Sequence, residues 1–124
     1  MWDGFNQRKF LRIKRRCEMT ILPEGETSPI VTMTENIGVG GVAVIQDHRL
    51  ERFTKCLIRL ELEQDLPEIE CHGKVVWIIE SKEPTVREHK FDTGIEFTDI
   101  TPEARERIQS FIRKRLPKGF EEIT

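Results

Sequence analysis

The chain has 124 residues, of which 34% are charged and 37% hydrophobic, and this length and balance predict one small soluble domain. The longest uninterrupted apolar run, Val75 to Ile79, is too short to cross a bilayer, so we expect no membrane insertion. The N-terminus, Met1 to Phe5, lacks the basic and apolar segments of an export signal. We therefore expect a cytoplasmic protein.

The first notable segment, from Arg8 to Arg16, is basic, although the net charge of the whole chain is −2. Like charges this close repel one another unless an anion lies nearby. The segment has no helical apolar stripe, so we predict that residues 1–13 form a flexible, extended arm. In an extended chain, side chains four residues apart lie on one side and are separated by about 13 Å. The basic residues are Arg8, Lys9, Arg12, Lys14, Arg15 and Arg16.

Arg8 and Arg12 have this spacing, and arginine has two ways to bind a nucleotide. Its planar fork binds phosphate bidentately, and it also hydrogen-bonds the O6 and N7 edge of guanine or stacks on the base. In a helix the two side chains would lie about 6 Å apart and would bind a single anion. The extended arm instead predicts contacts to different parts of one larger ligand.

Alternating apolar and polar residues dominate the middle of the chain and predict short β-strands. Cys17, Met19 and Ile21 share one face, and a similar alternation recurs from Ile30 to Thr34 and from Leu57 to Leu62. Regular turns between short strands predict an antiparallel sheet that closes as a barrel or a sandwich. The turn signals fall at 23–26, 38–41, 64–67 and 81–84.

The turn from Asn36 to Gly41 is rich in glycine. Glycine lets the backbone adopt a positive φ or approach a ligand closely. The alternative is a plain hairpin with a bulge or a glycine turn. A phosphate-binding loop is not indicated, because the segment from Val42 to Ile45 has the pattern of a strand, whereas such a loop needs a helix N-terminus.

The remaining reactive residue types do not predict catalysis. Cys17, Cys56 and Cys71 are widely spaced in strand-like surroundings, so we expect buried, reduced thiols. His72 follows Cys71 directly, and adjacent strand residues point to opposite faces, so we predict no metal site. No hydrolase triad or metalloprotease motif is present. Trp77 lies in an apolar run, which favours a place in the core, with stacking on a nucleobase as the alternative.

The C-terminal segment changes to a helical period. Thr101 is a favourable N-cap and Pro102 suits the first helical position. Pro117 and Gly119 are expected to end the helix, which we predict over residues 102–116. The apolar residues that recur at helical spacing are Ala104, Ile108, Phe111, Ile112 and Leu116.

Together, the arginine pair and the glycine-rich turn resemble the PilZ domain family. Members of that family carry an R-x-x-x-R segment followed by a [D/N]-x-S-x-x-G segment, and Arg8, Arg12, Asn36 and Gly41 match these patterns. Gly38 stands where the family usually has serine. The segments Gly73 to Trp77 and Thr93 to Phe97 also recur in family order. The resemblance implies a mainly β fold: an antiparallel six-stranded barrel over residues 14–124 with one C-terminal α-helix.

The resemblance also implies a function. PilZ domains bind the bacterial second messenger cyclic di-GMP without catalysing a reaction. The expected ligand site comprises Arg8, Arg12, Asn36, Gly38 and Gly41, with Lys9 and Trp77 as further candidates. By the same resemblance the carboxamide oxygen of Asn36 accepts the N1 and N2 hydrogens of guanine, and Gln7 favours one ligand per chain. We expect no metal and no cofactor besides this ligand, and an ordering of the arm that relays the signal to a protein target.

Two alternatives to a messenger receptor stay open. Gly38 lacks the serine hydroxyl, whose hydrogen bond is worth roughly 0.5–1.5 kcal/mol, and this loss motivates a degenerate adaptor that works by protein contact alone. The basic N-terminus motivates binding of single-stranded nucleic acid on a small barrel. The absence of tyrosine and of regular exposed aromatic residues, together with the negative net charge, argues against a nucleic-acid polymer.

Overall fold

The computed structural model describes residues 12–80 and 90–116. The predictions for Arg8 and Lys9 lie outside these residues. Seven strands and one helix follow one another along the described chain. They are β1 (Arg12–Lys14), β2 (Glu18–Pro23), β3 (Ile30–Gly38), β4 (Gly41–Gln46), β5 (Lys55–Leu60), β6 (Ile69–Glu80), β7 (Phe91–Phe97) and α1 (Pro102–Arg115).

The strands from β2 to β7 form a closed antiparallel barrel of six strands in the order β3-β2-β5-β6-β7-β4, and pairing of β3 with β4 closes it. The predicted mainly β fold with a six-stranded barrel and one C-terminal helix is confirmed. The extra strand β1 also pairs with β3, where Ile13 lies opposite Ile37. The boundary predicted between residues 13 and 14 therefore falls inside β1, and Arg12 and Ile13 belong to the sheet.

The barrel interior is filled by the faces that the alternation predicted. Cys17, Met19 and Ile21 are all buried, and so are Ile58 and Leu60 of β5. Burial on one face of each short strand removes apolar area from water and orients every strand relative to the core. The three cysteines are free and buried, as predicted.

The helix α1 begins as the sequence predicts. The hydroxyl of Thr101 accepts a hydrogen bond from the Ala104 backbone N–H at 3.1 Å, and Pro102 occupies the first turn. The side chains of Ile108, Phe111 and Ile112 are buried in the core. The helix contacts β1 and β3, so it supports the two strands that carry the arginine and asparagine of the candidate site.

The strand β6 contains a bulge at Val76, between the pairs Val75 with Ile95 and Trp77 with Gly94. A bulge inserts one unpaired residue and reverses the face of the residues that follow. Val75 is buried in the core, whereas Trp77 is half-buried on the outer face of the barrel. The interpretation of Trp77 as a core residue is therefore wrong.

Candidate functional site

The site begins where β1 lies against β3. In this register Arg12 is opposite Gly38 and Lys14 is opposite Asn36. The guanidinium of Arg12 donates two hydrogen bonds to the Asn36 side-chain oxygen, from Nε at 3.0 Å and from Nη2 at 2.5 Å. The structure thus brings together two predicted residues that are 24 positions apart.

The Arg12 side chain is half-buried, and burial lowers the pKa of its guanidinium from the ordinary value. Arginine nevertheless stays charged at neutral pH, because its ordinary pKa is above 12. The result is a cation held in a fixed orientation by the Asn36 amide. By contrast, Lys14, Arg15 and Arg16 are exposed.

A bulge in β3 places Asn36 on the outer face. The pairing of β3 with β4 shifts between Thr34 and Asn36, so Glu35 is the extra residue. Thr34 and Ile37 are both buried, whereas Asn36 points away from the core. Without the bulge, residues 34 and 36 would share a face, and the Asn36 amide could not meet Arg12 outside the barrel.

The glycines of the motif do not use positive φ, contrary to one of the sequence expectations. Among the described glycines, only Gly25 has a positive φ, of 88°. Gly41 is instead required by close packing, because a Cβ atom there would overlap the carbonyl oxygen of Ile95 on β7. Gly38 is buried opposite Arg12. Gly40 has open space around its missing side chain.

One row of residues crosses four strands on the outer face: Asn36, Ala43, Gly94 and Trp77 are lateral neighbours in the strand register. Three strand spacings separate the ends of the row by about 14 Å. A Cβ atom on Gly94 would overlap the Trp77 indole, so the ring lies directly over that glycine. The row therefore forms a floor with an amide at one end and an indole at the other, in which the indole covers Gly94 and Ala43 is only 1% exposed.

Asp92 lies beside this floor, and sequence reasoning did not single it out. It is paired with Ile45 of β4 and with Ile79 of β6. Its Oδ1 is buried and has no hydrogen-bond partner among the described residues. Burial, and secondarily the charge of Glu35, raises the pKa of this carboxyl. The strand from Phe91 to Phe97 also contains Glu96, so the presence of a charged residue does not distinguish Asp92 in the sequence.

Two further features of the described residues bear on function. They include no group of three or more histidine, cysteine, aspartate or glutamate side chains that could hold a metal ion. Within residues 12–80 and 90–116, no helix is long and apolar enough to span a membrane.

A comparison with models of protein families shows to which family the chain belongs. The model of the PilZ domain matches residues 6–114, which include the arginine pair, the glycine-rich turn and the whole six-stranded barrel. The chain belongs to the PilZ domain family. No curated protein sequence matches the chain.

Solved structures of PilZ proteins share this fold at low sequence identity. The Bacillus subtilis inhibitor of motility MotI/DgrA superposes with a TM-score of 0.71 at 23% identity, covering 90% of this chain and 53% of that one. This PilZ chain therefore spans about half the length of MotI. The PilZ domain of Escherichia coli YcgR, solved with c-di-GMP, has a TM-score of 0.69 at 13% identity, covering 87% and 90% of the two chains. The PilZ domain of CeSA from a cellulose-synthesizing bacterium has a TM-score of 0.57 at 14% identity, covering 84% and 96%.

Proposed function

We propose that this PilZ domain is a non-enzymatic cytoplasmic receptor for cyclic di-GMP, which relays binding through its N-terminal arm to a protein target. The observation that carries the proposal is the contact of the Arg12 guanidinium with the Asn36 oxygen. It joins the second arginine of the R-x-x-x-R segment to the first residue of the N-x-G-x-x-G segment. The similarity in fold to a YcgR domain solved with c-di-GMP supports the same ligand.

The geometry suggests how the ligand is held. An arginine side chain has five N–H donors, and Asn36 receives two of those of Arg12. The other donors of Arg12 remain to bind a phosphate oxygen or the O6 and N7 edge of guanine. In this proposal Arg8 and Lys9 supply further positive charge, and Gly38 and Gly41 keep the adjacent backbone free of side chains.

The outer floor offers an aromatic surface for a base. Ala43 is only 1% exposed and the Trp77 indole lies over Gly94, so in this proposal a base contacts the indole and not the strands beneath it. The Trp77 indole at the far end of the row supplies an aromatic face for stacking, a contact worth about 1–3 kcal/mol in nucleic-acid complexes. The proposal includes no metal ion and no cofactor besides cyclic di-GMP.

Calorimetric titration of arginine variants tests the proposal. We expect Arg12→Ala and Arg8→Ala each to weaken cyclic di-GMP binding at least about tenfold, because each removes a charged contact worth about 1.5–3 kcal/mol. Lysine at position 12 should restore little, since a point charge does not replace the planar fork. The matched control is Arg16→Ala, which removes an exposed arginine and should cost much less. Equal losses of affinity in all of these variants, including the control, would indicate a general electrostatic patch and not a specific arginine site.

Two other functions are tested by the same titration. An adaptor that works by protein contact alone, motivated by Gly38, predicts no heat of binding with cyclic di-GMP. Single-stranded nucleic-acid binding predicts tight binding of an oligonucleotide and a steep decrease of affinity with salt, because a polynucleotide releases counterions. Cyclic di-GMP has only two phosphates and should show a much shallower salt dependence.

A further inference from the structure

A carboxyl group on the outer face of β7 has no partner within the described parts of the chain. Asp92 stands between Phe91 and Thr93, which are both buried, and is itself partly exposed. Successive strand residues point to opposite faces of a sheet, so Asp92 points outward. Its Oδ1 is buried and accepts no hydrogen bond from a described residue, and its carboxylate forms no salt bridge with one. A buried polar atom without a partner is uncommon in a native fold.

The fold does not require an acid at this position. Burial, and secondarily the negative charge of Glu35, raises the pKa of the Asp92 carboxyl, so the surroundings disfavour its charged form. Its lateral neighbours are Ile45 on β4 and Ile79 on β6, whose side chains have no hydrogen-bond donor. Asparagine has nearly the same shape and avoids the cost of the charge. A group that destabilises the fold and bonds to nothing within it is typical of a functional site.

The Asp92 carboxyl is a diagonal neighbour of the Trp77 indole. Asp92 is opposite Ile79, and Gly94, two residues further along β7, is opposite Trp77. Residues in this diagonal relation lie about 7–8 Å apart on one face of a sheet, within reach of an aromatic side chain. The indole lies over Gly94, on the same strand as Asp92. An aromatic face and a hydrogen-bond acceptor are therefore adjacent on the outside of the barrel.

Guanine has the chemistry that matches this pair. Its N1–H and N2–H donors lie side by side on one edge, and an ionised carboxylate is an acceptor with two oxygens. Rotation about the last torsion of the Asp92 side chain, which has broad minima, lets both oxygens face a base. Stacking on an aromatic ring, combined with hydrogen bonds to this edge, is a common way to recognise an unpaired base. Adenine places an acceptor, its N1, at the same point, and two acceptors repel one another.

We propose that Asp92 selects guanine at the Trp77 end of the outer floor, where the base stacks on the indole and the carboxylate accepts its N1–H and N2–H. The inference rests on the proposed binding of cyclic di-GMP and assigns the second base of that ligand. The two guanines of the ligand are identical, and Asn36 can accept the donors of only one. Asn36 and Trp77 stand at the two ends of a row about 14 Å long, so an extended ligand places one base at each end.

The negative charge of Asp92 is compatible with an anionic ligand. The N1 edge of guanine is on the side of the base away from the ribose and the phosphates. Arg12 and Lys14 lie at the opposite end of the floor, where β1 pairs with β3. Glu35 is the other acid whose charge acts on Asp92. Removal of either acid reduces repulsion of the phosphates, so general electrostatics predicts tighter binding of the ligand by both variants.

Titration with two cyclic dinucleotides tests the assignment. The probes are cyclic di-GMP and the mixed cyclic dinucleotide of GMP and AMP with the same backbone linkage. We expect the native chain to prefer cyclic di-GMP at least about tenfold, because an unpaired acceptor rejects adenine. Asp92→Ala should bind cyclic di-GMP at least about fivefold more weakly, since it loses hydrogen bonds to a charged acceptor. Its preference over the mixed ligand should decrease to less than about threefold.

Two further variants separate hydrogen bonding from charge and from folding. Glu35→Gln removes the neighbouring negative charge and should bind cyclic di-GMP at least as tightly as the native chain. Asp92→Asn keeps the shape of the side chain but places an amide N–H where an acceptor is needed, so it should lose affinity although the fold is more stable. Tryptophan fluorescence in a Trp2→Phe background locates the base, because a guanine stacked on Trp77 should quench its emission.

The outcomes distinguish this inference from the proposed function. No binding of cyclic di-GMP by the native chain would overturn both. Tight binding by the native chain with undiminished affinity and unchanged base preference in Asp92→Ala would overturn the inference alone and leave Asp92 as a hydrated carboxylate. Unquenched Trp77 emission at saturation with cyclic di-GMP would also overturn it, since the second base would then lie elsewhere. Tighter binding by Asp92→Ala would assign the residue a purely electrostatic effect.

Discussion

At the scale of single residues, the site depends on how one amide oxygen is shared. The Asn36 oxygen has two lone pairs, and both face donors of Arg12 in this structure. The N1 and N2 hydrogens of guanine would compete for the same oxygen. In the proposed mode of binding, Arg12 would therefore turn part of its guanidinium from Asn36 to the ligand.

By the resemblance to the family motif, Gly38 stands where serine is usual, and we predict that serine at this position strengthens binding of the proposed ligand. Gly38 does not have a positive φ, so a side chain introduces no backbone strain of that kind. We expect Gly38→Ser to raise cyclic di-GMP affinity by up to about tenfold, the value of one net hydrogen bond. The comparison variant Gly38→Ala adds Cβ without the hydroxyl. Calorimetry should rank serine above glycine and alanine; equal affinities of the serine and alanine variants would contradict this account of the site.

At the scale of secondary-structure elements, the bulge in β6 determines which surface Trp77 serves. Without the extra residue at Val76, Trp77 would point into the barrel with Val75. The bulge places the indole over Gly94 on the outer face, in line with Asn36. One inserted residue in a strand thus supplies the aromatic part of the candidate floor.

A methyl group on Gly94 should displace the indole. We expect Gly94→Ala to lower the free energy of unfolding by about 1–3 kcal/mol, because a Cβ overlaps the ring and overpacking has that cost. Cyclic di-GMP affinity should decrease as well if a base stacks on Trp77. The measurement is denaturant unfolding together with tryptophan fluorescence in a Trp2→Phe background. Gly40→Ala is the matched control, since a Cβ there meets nothing within 4 Å and should change neither property.

The elements also differ in how far the sequence predicts them. Local patterns predict α1, because Thr101 and Pro102 act within one helical turn, and they predict the buried faces of β2 and β5. The bulges at Glu35 and Val76 are not predictable, since each depends on a register with a distant strand. The pairing of Arg12 with Asn36 was expected only as two segments of one motif. The unpaired carboxyl oxygen of Asp92 depends on how β7 packs between β4 and β6, so no local pattern in the sequence predicts it.

At the scale of the whole molecule, the barrel presents two chemically different sides. The side of β1, β3 and β4 carries the arginine and amide, and the side centred on β5 carries Lys55 and Lys74, with Glu24 and Glu96 as their neighbours. The Val76 region of β6 lies between them, because Arg52 bonds to its carbonyl and Trp77 follows it directly. A closed barrel keeps both sides in a fixed relation.

Global stability should depend on pH through Asp92. Its folded-state pKa is raised, with burial as the main cause, so the charged form destabilises the fold at neutral pH. We expect Asp92→Asn to stabilise the protein at pH 7 by about 1 kcal/mol, a value reduced from the usual desolvation cost because the group is partly exposed. The difference should shrink as pH falls through the raised folded pKa and vanish below the unfolded value of about 3.9. Thermal unfolding between pH 3 and pH 7 checks this. Asp65→Asn, which changes an exposed acid, should show no such gain, and a destabilised Asp92→Asn protein would contradict the assignment.

The burial of the three thiols has a practical consequence. Burial raises the pKa of Cys56 to about 11 and that of Cys71 to about 12, and it also raises the pKa of Cys17. Very little thiolate exists in any of them at neutral pH, and alkylating reagents attack the thiolate. A new cysteine at an exposed position such as Arg16 would therefore be the selectively reactive thiol of the chain. A fluorophore attached there would report on the segment next to β1 in real time, with the native cysteines left in place.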